Sequence, residues 1–308
     1  MNRRIAVTGS RGLLGGNFLW AAHDQWEVFA LHRSRAPVVP GVTGVFLDLS
    51  DFTGIRSVLD KIKPSVILHL AAATGVDWCE GNRAEAVLLN VRVTEAVARW
   101  SAENCAKMVL MSTDSVFDGK RGLYRETDTP NPVNFYAQTK LMAEAATVAN
   151  TSDYLILRAN FYGWNGEPKR SLAEWILAEI GNGNIVPGFQ DVRFSPLLAN
   201  TLSEIMLQMI DRDARGLYHV ASADRISKYD FALLIAEIFR KDDALIRRAL
   251  LSESSLIAKR PLDTSLRTER LRKELGLSVP FVRIDLERMR ALEDTAYVFK
   301  LKNSFGRT

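Results

Sequence analysis

The chain has 308 residues, 47% hydrophobic and 25% charged, which is ordinary for a globular protein with a main lobe and a smaller one. No apolar run is long enough to span a bilayer, and a net charge of +4 without aromatic interleaving or a binding motif excludes a nucleic-acid surface. The first strand begins within a few residues of the N-terminus, and two cysteines, Cys79 and Cys105, give no disulfide framework. We therefore expect a cytoplasmic protein.

In chain order, short apolar β-branched runs alternate with longer stretches of helical period. This alternation predicts parallel βαβ units, and hence an α/β Rossmann fold: a doubly wound parallel sheet with helices on both faces. The predicted helix over 52–62 is preceded by Asp51 as a candidate N-cap. The predicted strands cover 4–8, 27–31, 43–47, 65–70, 107–111 and 154–158, and the predicted helices cover 12–23, 52–62, 83–104 and 136–149.

The pattern loosens after residue 158, where two Gly- and Asn-rich stretches, 163–168 and 181–184, precede a helical run over 196–210 and a short strand near 217–220. We interpret this change as the start of an interleaved second lobe. The prediction assigns 1–160, with return segments around 194–220, to an NAD(P)-binding domain, and 161–193 and 221–308 to a substrate-binding lobe. The polar stretch 295–308 is predicted to be a loosely held tail.

The most informative segment is a glycine-rich turn that connects the first predicted strand to the first predicted helix. Its glycines allow a sharp turn and a close approach of backbone amides to phosphate groups, so the turn predicts a dinucleotide pyrophosphate site. A glycine-rich turn that serves packing alone is the alternative. The loop residues assigned to cofactor binding are Gly9, Ser10, Arg11, Gly12, Leu13, Leu14 and Gly15.

The second predicted strand ends in a basic group, where an NAD-preferring site would place an acidic residue on the adenosine ribose. Arg33, with Arg35 as a second candidate, is suited to pair with a 2′-phosphate through its planar guanidinium. The sequence therefore predicts a preference for NADP(H), with NAD(H) as a second option. An exposed loop arginine without a ligand is the alternative.

Tyr136 and Lys140 are four residues apart on a predicted helix and therefore project from one face. An ammonium beside a phenol favours the phenolate, which would lower the pKa of the tyrosine toward neutral pH and make it a proton donor or acceptor. Thr113, at the end of a neighbouring strand, can supply a second hydrogen bond to the same oxygen.

In order and spacing, these motifs resemble the extended short-chain dehydrogenase/reductase superfamily. Within it, residues 112–119 (Ser-Thr-Asp-Ser-Val-Phe-Asp-Gly), 124–126, 131–136 and 260–265 resemble the dTDP-4-dehydrorhamnose reductase family over about residues 3–285. That family reduces the C4 keto group of a nucleotide-linked 6-deoxyhexose with NAD(P)H. The resemblance implies an oxidoreductase of dTDP-rhamnose biosynthesis type with a nucleotide-sugar substrate; a homodimer is compatible with the sequence.

The resemblance also implies roles for individual residues. Tyr136 is the acid, Lys140 holds the nicotinamide ribose and lowers the pKa of the tyrosine, and Thr113 orients the carbonyl. Asp114 matches a substrate contact, and we add Phe161 and Arg193 as substrate candidates, the latter with surface ion pairing as its alternative. The remaining cofactor contacts are implied for Asp48, Leu49, Ala71, Ala72, Ala73 and Asn90.

Departures from the family pattern limit the reactions that the site is expected to catalyse. Ser115 stands where related dehydratases carry a glutamate base and where epimerases of the GDP-fucose synthase kind carry a cysteine, so simple reduction is favoured. The tryptophan that the family places on the sugar is not plainly present after Arg158, where Phe161, Tyr162 or Trp164 are the available substitutes. Two alternatives stay open: a cofactor-binding regulatory subunit resembling the β subunit of methionine adenosyltransferase, and a nucleotide-sugar epimerase.

His69 ends a predicted strand among small alanines, and a hydrogen-bonded core histidine is the favoured interpretation over a catalytic one. The four histidines are scattered and the cysteines lack ligand spacing, so the sequence predicts no metal site.

Overall fold

Seven parallel strands form the central sheet of the protein, whose computed structural model describes residues 3–306. They lie in the order β3-β2-β1-β4-β5-β6-β11, so the predicted doubly wound parallel sheet is confirmed. The strand order reverses between β1 and β4, which opens a crevice at their carboxyl ends. Numbered along the whole chain, the strands are β1 (Arg4–Thr8), β2 (Glu27–His32), β3 (Val42–Phe46), β4 (Val66–His69), β5 (Lys107–Thr113), β6 (Tyr154–Ala159) and β11 (Gly216–His219).

Helices cover both faces of this sheet, as the continuous apolar runs of its inner strands require. On one face α1 and α8 pack together; on the other α2, α5 and α6 close a second core. Asp51 caps α2 as predicted, accepting a hydrogen bond from the Gly54 amide at 2.9 Å. These helices are α1 (Leu13–Ala22), α2 (Phe52–Ile62), α3 (Val76–Gly81), α4 (Arg83–Val87), α5 (Val93–Glu103), α6 (Phe135–Asn150) and α8 (Ala199–Asp211).

The helix predicted over 83–104 is not continuous. Between α4 and α5 the backbone forms a single π-helical stretch, Leu88–Arg92. The wider turn leaves Asn90 buried and hydrogen-bonded to Ala73 and Thr139 rather than to its own helix surface. Apolar periodicity does not distinguish a π turn from an α turn, so the sequence could not indicate it.

The described chain outside the central sheet and its covering helices forms short paired strands and five further helices, most of them in the second lobe. Strand β7 (Phe161–Tyr162) pairs with β10 (Leu197–Leu198), β8 (Val186–Phe189) with β13 (Ile246–Ala249), and β9 (Arg193–Phe194) antiparallel with β12 (Ile226–Ser227). The helices are α7 (Leu172–Gly181), α9 (Lys228–Phe239), α10 (Glu269–Leu275), α11 (Val282–Glu293) and α12 (Ala296–Ser304). None of the helices within residues 3–306 has the length and apolar character to cross a bilayer.

The C-terminal stretch is not the loosely held tail that its polarity suggested. Residues 296–304 form α12, and Phe305 is 1% exposed against Gly16 of α1 and Gly166. The prediction also assigned 221–308 to the substrate lobe, whereas α12 contacts α1 of the nucleotide-binding part. Although the stretch is mostly polar, a few buried apolar side chains hold it against the rest of the protein. The last two residues of the predicted tail lie outside the described residues.

Candidate functional site

A cavity of about 900 Å³ lies at the carboxyl ends of the central strands, at the crevice between β1 and β4. Its volume suits a dinucleotide and part of a second ligand. One wall is the nucleotide-binding part and the facing wall is the loop after β7. Most predicted site residues line it: Gly9, Ser10, Arg11, Gly12, Leu13, Leu14, Gly15, Arg33, Asp48, Leu49, Ala71, Ala72, Ala73, Thr113, Tyr136, Lys140 and Phe161.

The glycine-rich turn is shaped by contacts that only glycine permits. Gly9 has φ +65°, and a Cβ there would lie 2.7 Å from the Ala71 nitrogen. A Cβ on Gly15 would lie 2.2 Å from the Gly9 carbonyl oxygen. Gly12 is the N-cap of α1 and supplies no side chain to cap it, so the first helical amides face the cavity. Such a helix N-terminus favours an anion, as the pyrophosphate prediction requires.

At the adenosine end of the cavity, the exposed guanidinium of Arg33 stands near the carboxylate of Asp48. The pKa of Asp48 is lowered chiefly by hydrogen bonds from the amide and hydroxyl of Ser50, and secondarily by Arg33. Arg35 does not line the cavity; its carbonyl accepts a hydrogen bond from Arg11. Arg33 is therefore the better placed of the two for a 2′-phosphate.

His69 is a fully hydrogen-bonded core residue. Its Nδ1 lies 2.8 Å from the Thr8 hydroxyl and its Nε2 3.1 Å from the Thr94 hydroxyl. Because Thr94 already donates to the Asn90 carbonyl, it accepts from Nε2, and Thr8 donates to Nδ1. Burial lowers the pKa of His69 to about 3, so the ring is neutral at physiological pH. Its role is to tie β1 to β4 beneath the cavity.

Asn90 was predicted to bind the cofactor but stands behind the cavity wall, 1% exposed. Its amide accepts a hydrogen bond from the Ala73 nitrogen at 2.7 Å and donates to the Ala73 carbonyl at 3.1 Å. It also donates to the hydroxyl of Thr139, at 2.9 Å, between the two predicted catalytic residues of α6. Asn90 thus fixes the alanine wall relative to that helix.

Thr113, Tyr136 and Lys140 meet at the same end of the cavity. Helix α6 begins at an Asn134 cap, and its first and second turns present the phenol and the ammonium. Burial raises the pKa of Tyr136, and a hydrogen bond with Thr113 opposes the rise. This direction differs from the expected lowering, because loss of solvent around the phenol outweighs that hydrogen bond. Burial also lowers the pKa of Lys140, to about 8.

Asp114 does not line the cavity but lies against it, 1% exposed, between the two lobes. Its carboxylate accepts hydrogen bonds from Thr264 at 2.6 Å and from Asn160 at 3.1 Å, and further bonds from the neighbouring hydroxyls. Burial raises its pKa, while the ammonium of Lys228 favours the charged form. Asp114 is thereby held where the second lobe meets the strand ends.

Sequence reasoning missed Lys228, which begins α9. Its Nζ lies 3.3 Å from the centroid of the Phe194 ring. Within residues 3–306 its ammonium makes no hydrogen bond or ion pair, and burial lowers its pKa to about 7 while Asp114 raises it. No local motif marks this lysine, because only the folded second lobe brings it toward Asp114.

Of the aromatic and basic side chains considered for the substrate side, only some lie at the cavity. Phe161 lines the cavity, whereas Trp164 is buried and donates to the Met289 carbonyl. Arg193 is exposed on β9 and does not line the cavity, and among residues 3–306 its side chain makes no hydrogen bond or ion pair. Arg260 is an ion-pair partner of Asp77, with N–O distance 3.0 Å.

The loop after β7 was also missed, although it follows a strand end and therefore lies where ligands bind in such sheets. Glu167, Lys169 and Arg170 line the cavity opposite the glycine-rich turn. Glu167 forms an ion pair with Arg11 across the cleft, and Lys169 donates to the Thr74 hydroxyl at 3.4 Å. The loop therefore spans the cleft at two points.

These features fit a dinucleotide. A glycine-rich turn at a helix N-terminus, an exposed arginine at the adenosine end and a phenol and ammonium at the far end share one cavity. Across residues 3–306, no three His, Cys, Asp or Glu side chains come together as a metal site. With a reductant bound, the arrangement can orient a carbonyl and protonate its oxygen.

Comparison with known proteins gives three kinds of match. A family model described as RmlD substrate binding domain matches residues 3–294. The probable low-salt glycan biosynthesis reductase Agl14 of Haloferax volcanii is 30% identical over 92% of this chain and 96% of its own length. Methionine adenosyltransferase 2 subunit beta of Xenopus tropicalis is 29% identical over 91% of this chain and 85% of its own. The crystal structure of dTDP-4-dehydrorhamnose reductase from Bacillus anthracis in complex with NADP superposes with a TM-score of 0.86 and 25% identity, covering 94% of this chain and 99% of that chain.

Proposed function

The chain belongs to the RmlD substrate binding domain family, and from that membership we propose that it is an NADP(H)-dependent reductase of the C4 keto group of a nucleotide-activated 6-deoxyhexose. The observation that carries this proposal is the meeting of Thr113, Tyr136 and Lys140 with the glycine-rich turn in one cavity. Similarity to dTDP-4-dehydrorhamnose reductases over most of the chain supports the same reaction class.

The cofactor would be held along the nucleotide-binding wall. The amides at the start of α1 would receive the pyrophosphate, Arg33 the 2′-phosphate and Asp48 with Leu49 the adenosine. Lys140 would hold the nicotinamide ribose. When bound, the reduced nicotinamide supplies the hydride for the keto carbon. The NADP complex of the Bacillus anthracis relative supports the choice of cofactor, and an NADH affinity equal to that for NADPH would contradict the preference.

The residues of the chain then handle the oxygen atom. As the keto carbon is reduced, negative charge develops on its oxygen, and the Tyr136 hydroxyl donates its proton there. A phenol whose pKa is raised stays protonated at neutral pH and is ready to act as an acid. Thr113 orients the same oxygen, and the charged form of Lys140 stabilises the phenolate left behind.

The substrate would enter between the second lobe and the strand ends. Asp114, Phe161 and Arg193 are the proposed substrate contacts, of which Phe161 lines the cavity. The exposed Arg193 guanidinium, which has no ion pair within residues 3–306, is suited to a phosphate oxygen. The nucleotide sugar is the proposed partner. We also retain the division into a nucleotide-binding domain and a substrate lobe as a proposal, with α12 moved to the former.

The test is NADPH oxidation in the presence of a dTDP-4-keto-6-deoxyhexose, measured for the protein and for Tyr136→Phe. Loss of a general acid slows such a reaction by about 10²- to 10⁴-fold, so we expect a fall of that size with NADPH binding retained. Tyr154→Phe is the matched control, because Tyr154 begins β6 at the end of the strand away from the cavity. This variant should keep full turnover. Undiminished turnover in Tyr136→Phe would remove the mechanism.

A second candidate, a cofactor-binding regulatory subunit, is favoured by the 29% identity to methionine adenosyltransferase 2 subunit beta. In that case the cavity would bind NADPH without keto-sugar-dependent oxidation. Co-purification with a larger enzyme, combined with no turnover on any keto sugar, would support this candidate over the reductase.

A further inference from the structure

A buried ion pair lies directly behind the catalytic helix. Glu144 on α6 and Arg158 on β6 are 5% and 3% exposed, and they bond through two parallel contacts of 2.9 Å and 2.6 Å. Such two-point pairing fixes both the distance and the plane of the two groups. The guanidinium also stacks on Phe117, 5.1 Å from its ring centroid, and its second terminal nitrogen has no hydrogen-bond partner among residues 3–306.

Glu144 connects the two elements that carry the proposed catalytic groups, α6 and β5, with the neighbouring strand β6. It lies four residues after Lys140, on the same face of α6. It accepts a hydrogen bond from the hydroxyl of Ser112, the residue before Thr113 on β5. Arg158, its partner on β6, stands opposite Ser112 in the sheet. A substitution of Glu144 therefore removes contacts that hold α6, β5 and β6 together.

The charge of Glu144 matters to Lys140 because the lysine is buried. Burial disfavours the charged form of Lys140 and lowers its pKa. The negative charge of Glu144 partly opposes this effect, and the resulting pKa is about 8. The other titratable groups facing this region are His69 on β4, Cys79 on α3, Asp114 after β5, Arg158 on β6 and Tyr136.

Among these groups the neutral ones cannot replace Glu144. His69 is neutral above pH about 3, and the pKa of the Cys79 thiol is raised by burial. Asp114 is held by Thr264 and Asn160 on the substrate side. The carboxylate one turn from Lys140 is thus the counter-charge on its own helix.

We propose that Glu144 is a positioning residue that keeps Lys140 in its charged form and fixes α6 against β5 and β6 at the catalytic end. The proposal rests on the proposed reductase function for its consequence in turnover, but not for its effect on Lys140. A buried ion pair is weak grounds for stability by itself, since an apolar replacement is often neutral. Its place behind the catalytic groups is what gives this pair a role.

The experiment is an NMR titration of the Lys140 Cε signal in protein labelled on lysine, assigned with Lys140→Met, for the protein and for Glu144→Gln. Because an opposite charge within reach moves a pKa by roughly one to three units, we expect the Lys140 midpoint to fall by about one pH unit or more. A fall of one unit in the pKa of Lys140, from about 8, lowers the charged fraction of Lys140 at pH 8 about fivefold. The decrease of kcat at high pH should therefore begin at a correspondingly lower pH.

Glu144→Asp separates charge from geometry. It keeps the carboxylate near the lysine, so the midpoint should stay close to that of the unchanged protein, whereas the shortened side chain loses the two-point pairing and kcat should fall. Glu103→Gln, which removes an exposed carboxylate paired with Arg56, is the control and should change neither quantity.

Glu144→Gln leaves Arg158 with a buried, uncompensated charge and can unfold the protein. The double variant Glu144→Gln/Arg158→Gln removes both charges and should show a lowered midpoint, by a smaller amount. A Lys140 midpoint at or above that of the unchanged protein in either folded variant overturns the proposal. The titration needs no substrate, so absence of turnover on every keto sugar would overturn the reductase function alone.

Discussion

At the scale of single residues, the proposed substrate side of the site contains a buried carboxylate, Asp114, and a lysine of the second lobe, Lys228. Asp114 follows β5 and is held by Thr264 of the second lobe and Asn160 after β6. Burial disfavours its charged form, and Lys228 is the cation that favours it. Asp114 in turn raises the pKa of Tyr136. The charge of Lys228 therefore acts, through Asp114, on the proposed catalytic phenol.

Lys228→Met should therefore weaken the keto-sugar complex without weakening the NADPH complex. Without the ammonium, Asp114 takes up a proton more readily and becomes a poorer acceptor for a sugar hydroxyl. A charge-assisted hydrogen bond contributes about 1.5 to 3 kcal/mol, so we expect KM for the keto sugar to rise by roughly tenfold or more. Steady-state kinetics with the keto sugar varied at saturating NADPH would measure it.

Lys241→Met, an exposed lysine just beyond the same helix, serves as the control and should leave KM unchanged. An unaltered KM in Lys228→Met, or an equal loss of NADPH affinity, would contradict the assigned role.

At the scale of elements, helix α12 shows how the chain end supports the cofactor site. Phe305 follows α12 and packs on Gly16 of α1, while the Arg11 guanidinium lies 5.5 Å from its ring centroid and donates to its carbonyl. Trp20 of α1 also donates to the Ser304 hydroxyl, at 3.2 Å. The C-terminal helix thus braces both α1 and an arginine of the pyrophosphate turn.

Phe305→Ala should lower the free energy of unfolding by about 3 to 5 kcal/mol, because a buried ring is replaced by a cavity. NADPH affinity should fall as well, since Arg11 loses its support. Urea denaturation and NADPH titration would measure the two effects. The matched control is Phe299→Ala on α12, whose side chain is 70% exposed and should cost little. Equal losses for both variants would show that α12 does not pack as described.

At the scale of the whole molecule, buried neutral histidines make stability depend on acidity. Burial lowers the pKa values of His69 and His219 to about 3 each. In the unfolded chain each imidazole takes up a proton near its ordinary pKa of about 6.5, whereas in the folded protein it does not until about 3. The stabilisation they contribute is present above pH about 6.5 and is lost as the pH falls toward 3.

Between pH 7 and pH 5 this loss amounts to about 2 kcal/mol per histidine. His219→Asn should therefore reduce the decrease in unfolding free energy over that interval by about 2 kcal/mol, measured by urea denaturation at both pH values. If His219→Asn leaves the decrease unchanged, the histidine does not titrate as described.

The sequence by itself determined the parallel sheet, the glycine-rich turn and the order of the catalytic motifs. Each of these depends on local chemistry: period-two and period-3.6 patterns fix strands and helices, and the turn at Gly9 and the spacing of Tyr136 and Lys140 are properties of neighbouring residues. Parallel strands bring their carboxyl ends to one edge, so the cofactor side of the cavity followed from strand ends alone.

Only the tertiary structure decided the rest, because it depends on residues far apart in the chain. Lys228 reaches Asp114 across 114 positions of sequence, Phe305 packs on α1 from the opposite end of the chain, and the burial of Tyr136 sets the direction of its pKa shift. The π turn at Asn90 likewise depends on partners in a loop and in α6. Desolvation and packing are collective properties of the folded chain, and no local pattern encodes them.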